Sequence, residues 1–312
     1  MRISLLEPLN VPESEIRRLS AKLEERGHTF TYYPEKTTDT AELIRRTRGQ
    51  DAVIIANNPY PAEAVLAAES LKLIAVAFTG IDHVALKECE GRGIRVMNCA
   101  GYSTETVAEL VIGMTLAVYR KLSEAQNAVC TGGTNAGLKG LEIAGKKVGI
   151  IGCGRIGIRT AELFQAFGAK VSGYSRTVKP ELSEKGIRQV PLETLLAESD
   201  IISLHIPLTP ETRGFLDRSR IGMMKKGAVL INCARGPVAD AQALADALNE
   251  GNLAGAGVDV FDTEPPIPAD HPLLHAKNAV LTPHLGFLTE ESMQRRAVMV
   301  FDNVLAWLDS VS

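Results

Sequence analysis

At 312 residues, with 45% hydrophobic and 23% charged side chains, the chain is long enough to fill two cores of ordinary size. A formal net charge of -3 gives no electrostatic argument for nucleic acid or an anionic membrane surface as partner, and no apolar run approaches the roughly 20 residues that a spanning helix needs. Five cysteines, odd in number and without a C-x-x-C pair, point to reduced thiols in a cytoplasmic setting and to no structural metal.

The opening stretch from Met1 to Pro8 reads as a strand cut short by a charge and a proline, not as a signal peptide. From residue 1 to about 97, strand patterns at 3–6, 52–56, 73–78 and 94–97 alternate with helical ones over 13–26, 40–48, 62–68 and 82–91. Such alternation implies a parallel sheet covered on both faces. This block has no glycine fingerprint, so its loops suit a substrate better than a nucleotide. The loop from Phe78 to His83 follows a strand and leads toward a helix, which would aim the amides near Thr79 and Gly80 at a small carboxylate; an ordinary strand-to-helix turn reads equally well. Asn58, at the end of another strand, is a second candidate contact, and the absence of Arg or Lys beside it argues against a phosphorylated substrate.

Thr106 and Glu109 have capping-box spacing ahead of apolar positions Val107, Leu110, Val111, Met114 and Val118, which predicts one long core helix ending near Lys121. A loop of small residues follows at 131–137. The densest signal comes next. The apolar run Val148-Gly149-Ile150-Ile151 ends in Gly152, Gly154 and Gly157 at G-x-G-x-x-G spacing, then turns helical through Phe167, and a second strand pattern starts at Lys170. Gly152 permits the tight turn, Gly154 lets a pyrophosphate approach, and Gly157 lets the helix lie close on the strand. The pyrophosphate would rest on the unpaired amides at the positive end of that helix.

A site selective for NAD wants a carboxylate about 20 residues further on, for the ribose hydroxyl. The sequence offers Ser175-Arg176-Thr177-Val178-Lys179 instead, a set suited to a 2′-phosphate, so NADP is the preferred cofactor and NAD a possible one. The alternative is that Arg176 stacks on adenine or faces water, leaving the site indifferent between the two.

Four more strand patterns follow, and in an open parallel sheet ligands bind beyond the carboxyl ends of strands. His205, Arg235, Glu264 and His284 all lie just past such ends. Of the six histidines, His284 alone combines a strand end with a preceding proline and a following glycine, whereas His205 has no acidic neighbour. Reduction of a 2-oxo acid needs a hydride, a proton for the developing alkoxide and a fixed cation for the carboxylate. His284 would exchange the proton, Glu264 would favour its imidazolium, and the planar fork of Arg235 would clamp the substrate.

With these residues the chain resembles the D-isomer-specific 2-hydroxyacid dehydrogenases along nearly its whole length. The motifs that carry the likeness are the loop from Phe78 to Val84, the fingerprint from Gly149 to Gly157, H-x-P-L-T-x-E-T-x-G from His205 to Gly214, N-x-x-R-G ending at Gly236, D-V-F-x-x-E-P ending at Pro265, and P-H-x-G ending at Gly286. The resemblance implies Arg235, Glu264 and His284 as catalytic and the amides of Thr79 and Gly80 as carboxylate ligands. It implies cofactor contacts from Thr106, Arg155, Ile156, His205, Pro207, Thr212, Cys233, Ala234, Asp259 and Gly286, beside the glycines and Ser175, Arg176 and Thr177. It also implies an α/β architecture of two doubly wound parallel-sheet domains: a Rossmann cofactor domain over 98–284 inserted into a flavodoxin-like substrate domain of 1–97 plus 285–312, with catalysis in the cleft between them. Relatives are commonly homodimers. The Ser175-Arg176 pair resembles the NADP-preferring glyoxylate and hydroxypyruvate reductases. Two other readings stand beside this one: a dehydrogenase of formate or inorganic acids on the same fold, and a nucleotide-sensing regulatory protein, against which an apparently complete catalytic set argues.

Overall fold

The computed structural model describes residues 1–263 and 266–311. It divides into two compact units, Met1–Ser103 with Leu288–Ser312 and Thr104–Phe287.

In the first unit, strands β1 (Arg2–Leu5), β2 (Thr29–Tyr32), β3 (Ala52–Ile55), β4 (Leu73–Val76) and β5 (Arg95–Asn98) alternate with helices α1 (Glu13–Glu24), α2 (Thr40–Thr47), α3 (Ala62–Ala67) and α4 (Leu86–Gly91). The strands form one parallel sheet in the order β2-β1-β3-β4-β5, the flavodoxin-like arrangement, with its switch between β1 and β3. β3 and β4 are buried along their whole length, which is why they read as unbroken apolar runs. Thr29–Tyr32 alternates threonine with aromatic residues on a half-buried edge, and an apolar-run search passes over it.

The second unit supplies α5 (Thr104–Tyr119), α6 (Leu122–Cys130), β6 (Lys147–Ile151), α7 (Arg155–Ala166), β7 (Lys170–Tyr174), α8 (Pro180–Glu184), β8 (Arg188–Gln189), α9 (Leu192–Glu198) and β9 (Ile201–Leu204). After them come α10 (Arg218–Gly222), β10 (Val229–Asn232), α11 (Ala241–Asn249), β11 (Gly255–Val258) and β12 (Ala279–Leu281). Its parallel sheet runs β12-β11-β10-β9-β6-β7-β8, a doubly wound order that reverses between β6 and β9. Successive residues feed opposite faces: Ile150, Ile201 and Ile231 join α5 and α7 in one cluster, while Ile151, Ile202 and Leu230 join α9 and α11 in the other.

The last helix, α12 (Glu290–Val311), belongs to the first unit, where it packs on α1, β4 and β5 and buries Val300, Phe301, Val304 and Trp307. The units divide six residues later than the sequence boundary at 97/98. The reason lies in residues 98–103: Asn303 donates to the Asn98 carbonyl (2.9 Å), Arg295 to that of Tyr102 (3.0 Å), and Cys99 to that of Phe78 (3.0 Å). At the other boundary, Leu285 and Gly286 are held by Asp259 and stay with the second unit.

The long helix expected to end near Lys121 is α5, which stops at Tyr119; Lys121, at a left-handed φ of 51°, then starts a further helix, α6, that the sequence reading did not include. Thr106 lies inside the first turn of α5, buried, so it is not that helix's cap. No helix among the described residues is long and apolar enough to cross a membrane.

Candidate active site

The three fingerprint glycines meet different surroundings. A Cβ on Gly152, whose φ is 100°, would lie 2.6 Å from the His205 carbonyl oxygen, and one on Gly157 would lie 2.1 Å from the Gly152 carbonyl oxygen. Both are demanded by the protein's own packing. A Cβ on Gly154 would meet nothing within 4 Å, and its φ of -82° suits any residue. The side of Gly154 is thus open ground at the start of α7, whose first amides receive no side-chain cap. A strand, a tight turn and an uncapped helix start with an unobstructed glycine fit a dinucleotide pyrophosphate. Arg155 is exposed there and Ile156 half-buried.

At the end of β7, the Ser175 hydroxyl accepts from the Cys153 amide at 3.3 Å. Arg176 and Thr177 are exposed, and the Arg176 guanidinium has no hydrogen bond or ion pair among the described residues. No carboxylate stands in this turn.

Beyond β9, the His205 ring is 2.9 Å from the Ser203 hydroxyl, and desolvation pushes its pKa down to about 3, so the imidazole is neutral at physiological pH. The following segment braces itself: the Thr212 hydroxyl donates to the Pro207 carbonyl (2.6 Å) and accepts from the Thr209 amide (2.7 Å). Pro207 is exposed and Thr212 half-buried.

The next three strand ends, from β10, β11 and β12, are neighbours in the sheet. After β10, the Asn232 side chain accepts from the Ala234 amide (3.0 Å) and donates to the Arg235 carbonyl (3.1 Å), closing the turn that carries Arg235. Arg235 is half-buried, and its Nη1 donates to the Ala234 carbonyl at 2.8 Å. Gly236 is compulsory, since a Cβ there would overlap the Phe261 backbone at 1.9 Å. Cys233 turns its thiol away, 3.6 Å from the Met114 sulfur in the core, and burial raises its pKa well above the ordinary thiol value. Any contact it makes with a cofactor is therefore through its backbone.

Asp259, fully buried beyond β11, organises the P-H-x-G segment. Its carboxylate accepts from the Thr282 hydroxyl (2.6 Å), the Leu285 amide (2.7 Å) and the Gly286 amide (2.8 Å), and its carbonyl accepts from the His284 amide (2.8 Å). Burial raises its pKa, opposed by these hydrogen bonds. His284 is thereby held at a left-handed φ of 59°, its ring edge-on to Phe287 with centroids 5.1 Å apart. The sequence marked Asp259 as a cofactor contact and did not show that it anchors the histidine loop. Glu264 lies outside the described residues.

Three candidates belong to the first unit. The expectation that Thr79 and Gly80 open a helix is not met: residues 82–83 form a turn, Val84 bridges to Tyr60, and α4 starts only at Leu86. Helix-dipole assistance is therefore lost, although the two amides still follow the carboxyl end of β4. Asn98 donates to the Thr79 carbonyl at 2.7 Å and fixes this loop. The Asn58 side chain donates to the Thr37 carbonyl (3.2 Å) while its amide donates to the buried Glu7 carboxylate (3.2 Å), so its side chain is already engaged locally.

Comparison with known proteins accords with this geometry. Residues 112–286 match the sequence profile described as D-isomer specific 2-hydroxyacid dehydrogenase, NAD binding domain. The chain is 41% identical over 275 residues to a glyoxylate reductase of Thermofilum pendens, covering 86% of this chain and 81% of that one. It is 36% identical over 293 residues to a hydroxypyruvate reductase of Blautia hydrogenotrophica, covering 92% and 91%. Among solved structures, an acyclic imino acid reductase in complex with NADPH and D-Arg superposes with a TM-score of 0.89 at 31% identity, over 99% of this chain and 98% of that one. The chain belongs to the D-isomer-specific 2-hydroxyacid dehydrogenases and is an oxidoreductase that passes a hydride between a nicotinamide cofactor and a 2-oxo or 2-hydroxy acid.

Proposed function

We propose that the protein is an NADP(H)-preferring reductase of small 2-oxo acids of the glyoxylate and hydroxypyruvate class. The observation that carries the cofactor preference is the turn after β7, which has an exposed Arg176, in no ion pair among the described residues, where an NAD-selective site has a carboxylate. The relatives named glyoxylate and hydroxypyruvate reductase support the substrate class.

When bound, the nicotinamide supplies or accepts the hydride. Arg235 clamps the substrate carboxylate through its planar fork and polarises the neighbouring carbonyl, with the amides of Thr79 and Gly80 as further carboxylate donors. His284 gives its proton to the developing alkoxide in reduction and takes it back in oxidation. Glu264 favours the imidazolium and orients the ring. Asp259 acts through the loop that it holds. The working protein is a cytoplasmic homodimer in this reading; the exposed apolar side chains of Leu122 and Val129 on α6 support an association face.

The test is oxidation of NADPH and of NADH by the pure protein with glyoxylate, hydroxypyruvate, pyruvate and phenylpyruvate. Faster NADPH oxidation with one of the first two is expected, and Arg176→Ala should weaken NADPH more than NADH. Equal losses would remove Arg176 from 2′-phosphate recognition. No turnover with any pair, despite cofactor binding, would turn the reading toward formate-like substrates.

A further inference from the structure

The turn that carries Arg176 is held from the edge of the sheet. β8 pairs in parallel with β7, placing Gln189 opposite Gly173. The Gln189 carboxamide then grips the turn twice: Nε2 donates to the Thr177 carbonyl at 2.9 Å, and Oε1 accepts from the Lys179 amide at 3.0 Å. On the other side, Lys179 Nζ donates to the Cys153 carbonyl at 3.0 Å, and Ser175 Oγ accepts from the Cys153 amide at 3.3 Å. The turn is thus fastened both to the edge strand and to the middle of the glycine fingerprint.

Between these fastenings stand two cations, Arg176 and Lys179; neither is in an ion pair among the described residues, although the exposed Glu211 carboxylate feels the charge of Arg176, and Lys179 bonds a backbone carbonyl. Like charges held in one short turn with so little counter-charge are poised for an anion with several acceptor oxygens. Holding the turn before the ligand arrives moves its ordering cost from binding to folding.

We propose that Gln189 is a positioning residue for cofactor choice: by fixing the turn from Ser175 to Lys179, it makes Arg176 and Lys179 jointly available to the 2′-phosphate of an adenine dinucleotide. This rests on the NADP(H) reading above and extends it to two residues outside the fingerprint. A merely structural Gln189 would affect phosphorylated and unphosphorylated nucleotides alike.

The experiment measures calorimetric affinity of the full chain for 2′,5′-ADP and for 5′-AMP, which differ only in the 2′-phosphate. Wild type should prefer 2′,5′-ADP. Gln189→Met, close in shape but without the amide, should lose about tenfold for 2′,5′-ADP, the size of one or two net hydrogen bonds, while 5′-AMP stays within about twofold. Lys179→Met leaves Gln189 in place and should show the same selective loss, so the proposal stays testable if Gln189→Met folds poorly. Equal losses for both nucleotides, or an undiminished preference in both variants, would overturn the positioning role alone. A wild type without preference would overturn the NADP(H) reading and this inference with it.

Discussion

His284 shows what the site demands of single residues. It sits at φ 59°, a conformation that costs a non-glycine residue about 1–2 kcal/mol, and the loop around it is over-determined by four hydrogen bonds to Asp259. Strain retained under such restraint marks a side chain whose direction matters more than its backbone comfort. His284→Ala is expected to abolish turnover while leaving cofactor affinity nearly intact, measured by steady-state kinetics and by NADPH titration; unchanged turnover would remove His284 from the chemistry. Arg235→Lys should lose most substrate handling, because an ammonium cannot make the bidentate clamp, and wild-type kinetics in that variant would refute the clamp. Both side chains were legible in the sequence, since a strand end followed by a motif can be read along the chain. The grip of Asp259 on residues 282–286 was not. It joins positions 23 to 27 residues apart across two strands, a distance over which pattern carries no signal.

Among the elements, the fingerprint separates packing from ligand approach. Gly157 is needed because α7 lies against the carbonyl of Gly152, whereas Gly154 faces open space. Gly157→Ala should therefore cost about 1–3 kcal/mol of stability by overpacking, while Gly154→Ala should melt within about 0.5 kcal/mol of wild type yet bind NADPH more weakly. Denaturant titration and cofactor titration together check the pair; a Gly154→Ala protein with unaltered NADPH affinity would place the pyrophosphate elsewhere. The buried strands were readable because both of their faces are apolar. The edge strand β2, the late start of α4 and the separate helix α6 were not: each is decided by tertiary contacts or by one backbone angle, not by periodicity.

For the whole molecule, His205 couples stability to pH. Its folded pKa is about 3, against 6.5 for the free group, so below 6.5 the unfolded chain binds a proton that the folded chain refuses. The stability conferred by the neutral ring is fully present above pH 6.5 and drains away as pH falls toward 3. His205→Gln is expected to flatten the acid limb of a stability profile by about one proton across that window. An unaltered slope would mean that His205 is charged in the native state.

The C-terminal helix has a consequence for how the protein comes into being. The strands of the first unit leave the ribosome early, but α12, which buries Phe301 and Trp307 among them, is made only after all of Thr104–Phe287. During synthesis the uninterrupted unit has its whole sequence available while the earlier one waits with an unroofed sheet, a species prone to sticking and to chaperone capture. Trp307 is the sole tryptophan of the chain, so its fluorescence times the moment at which that roof is laid.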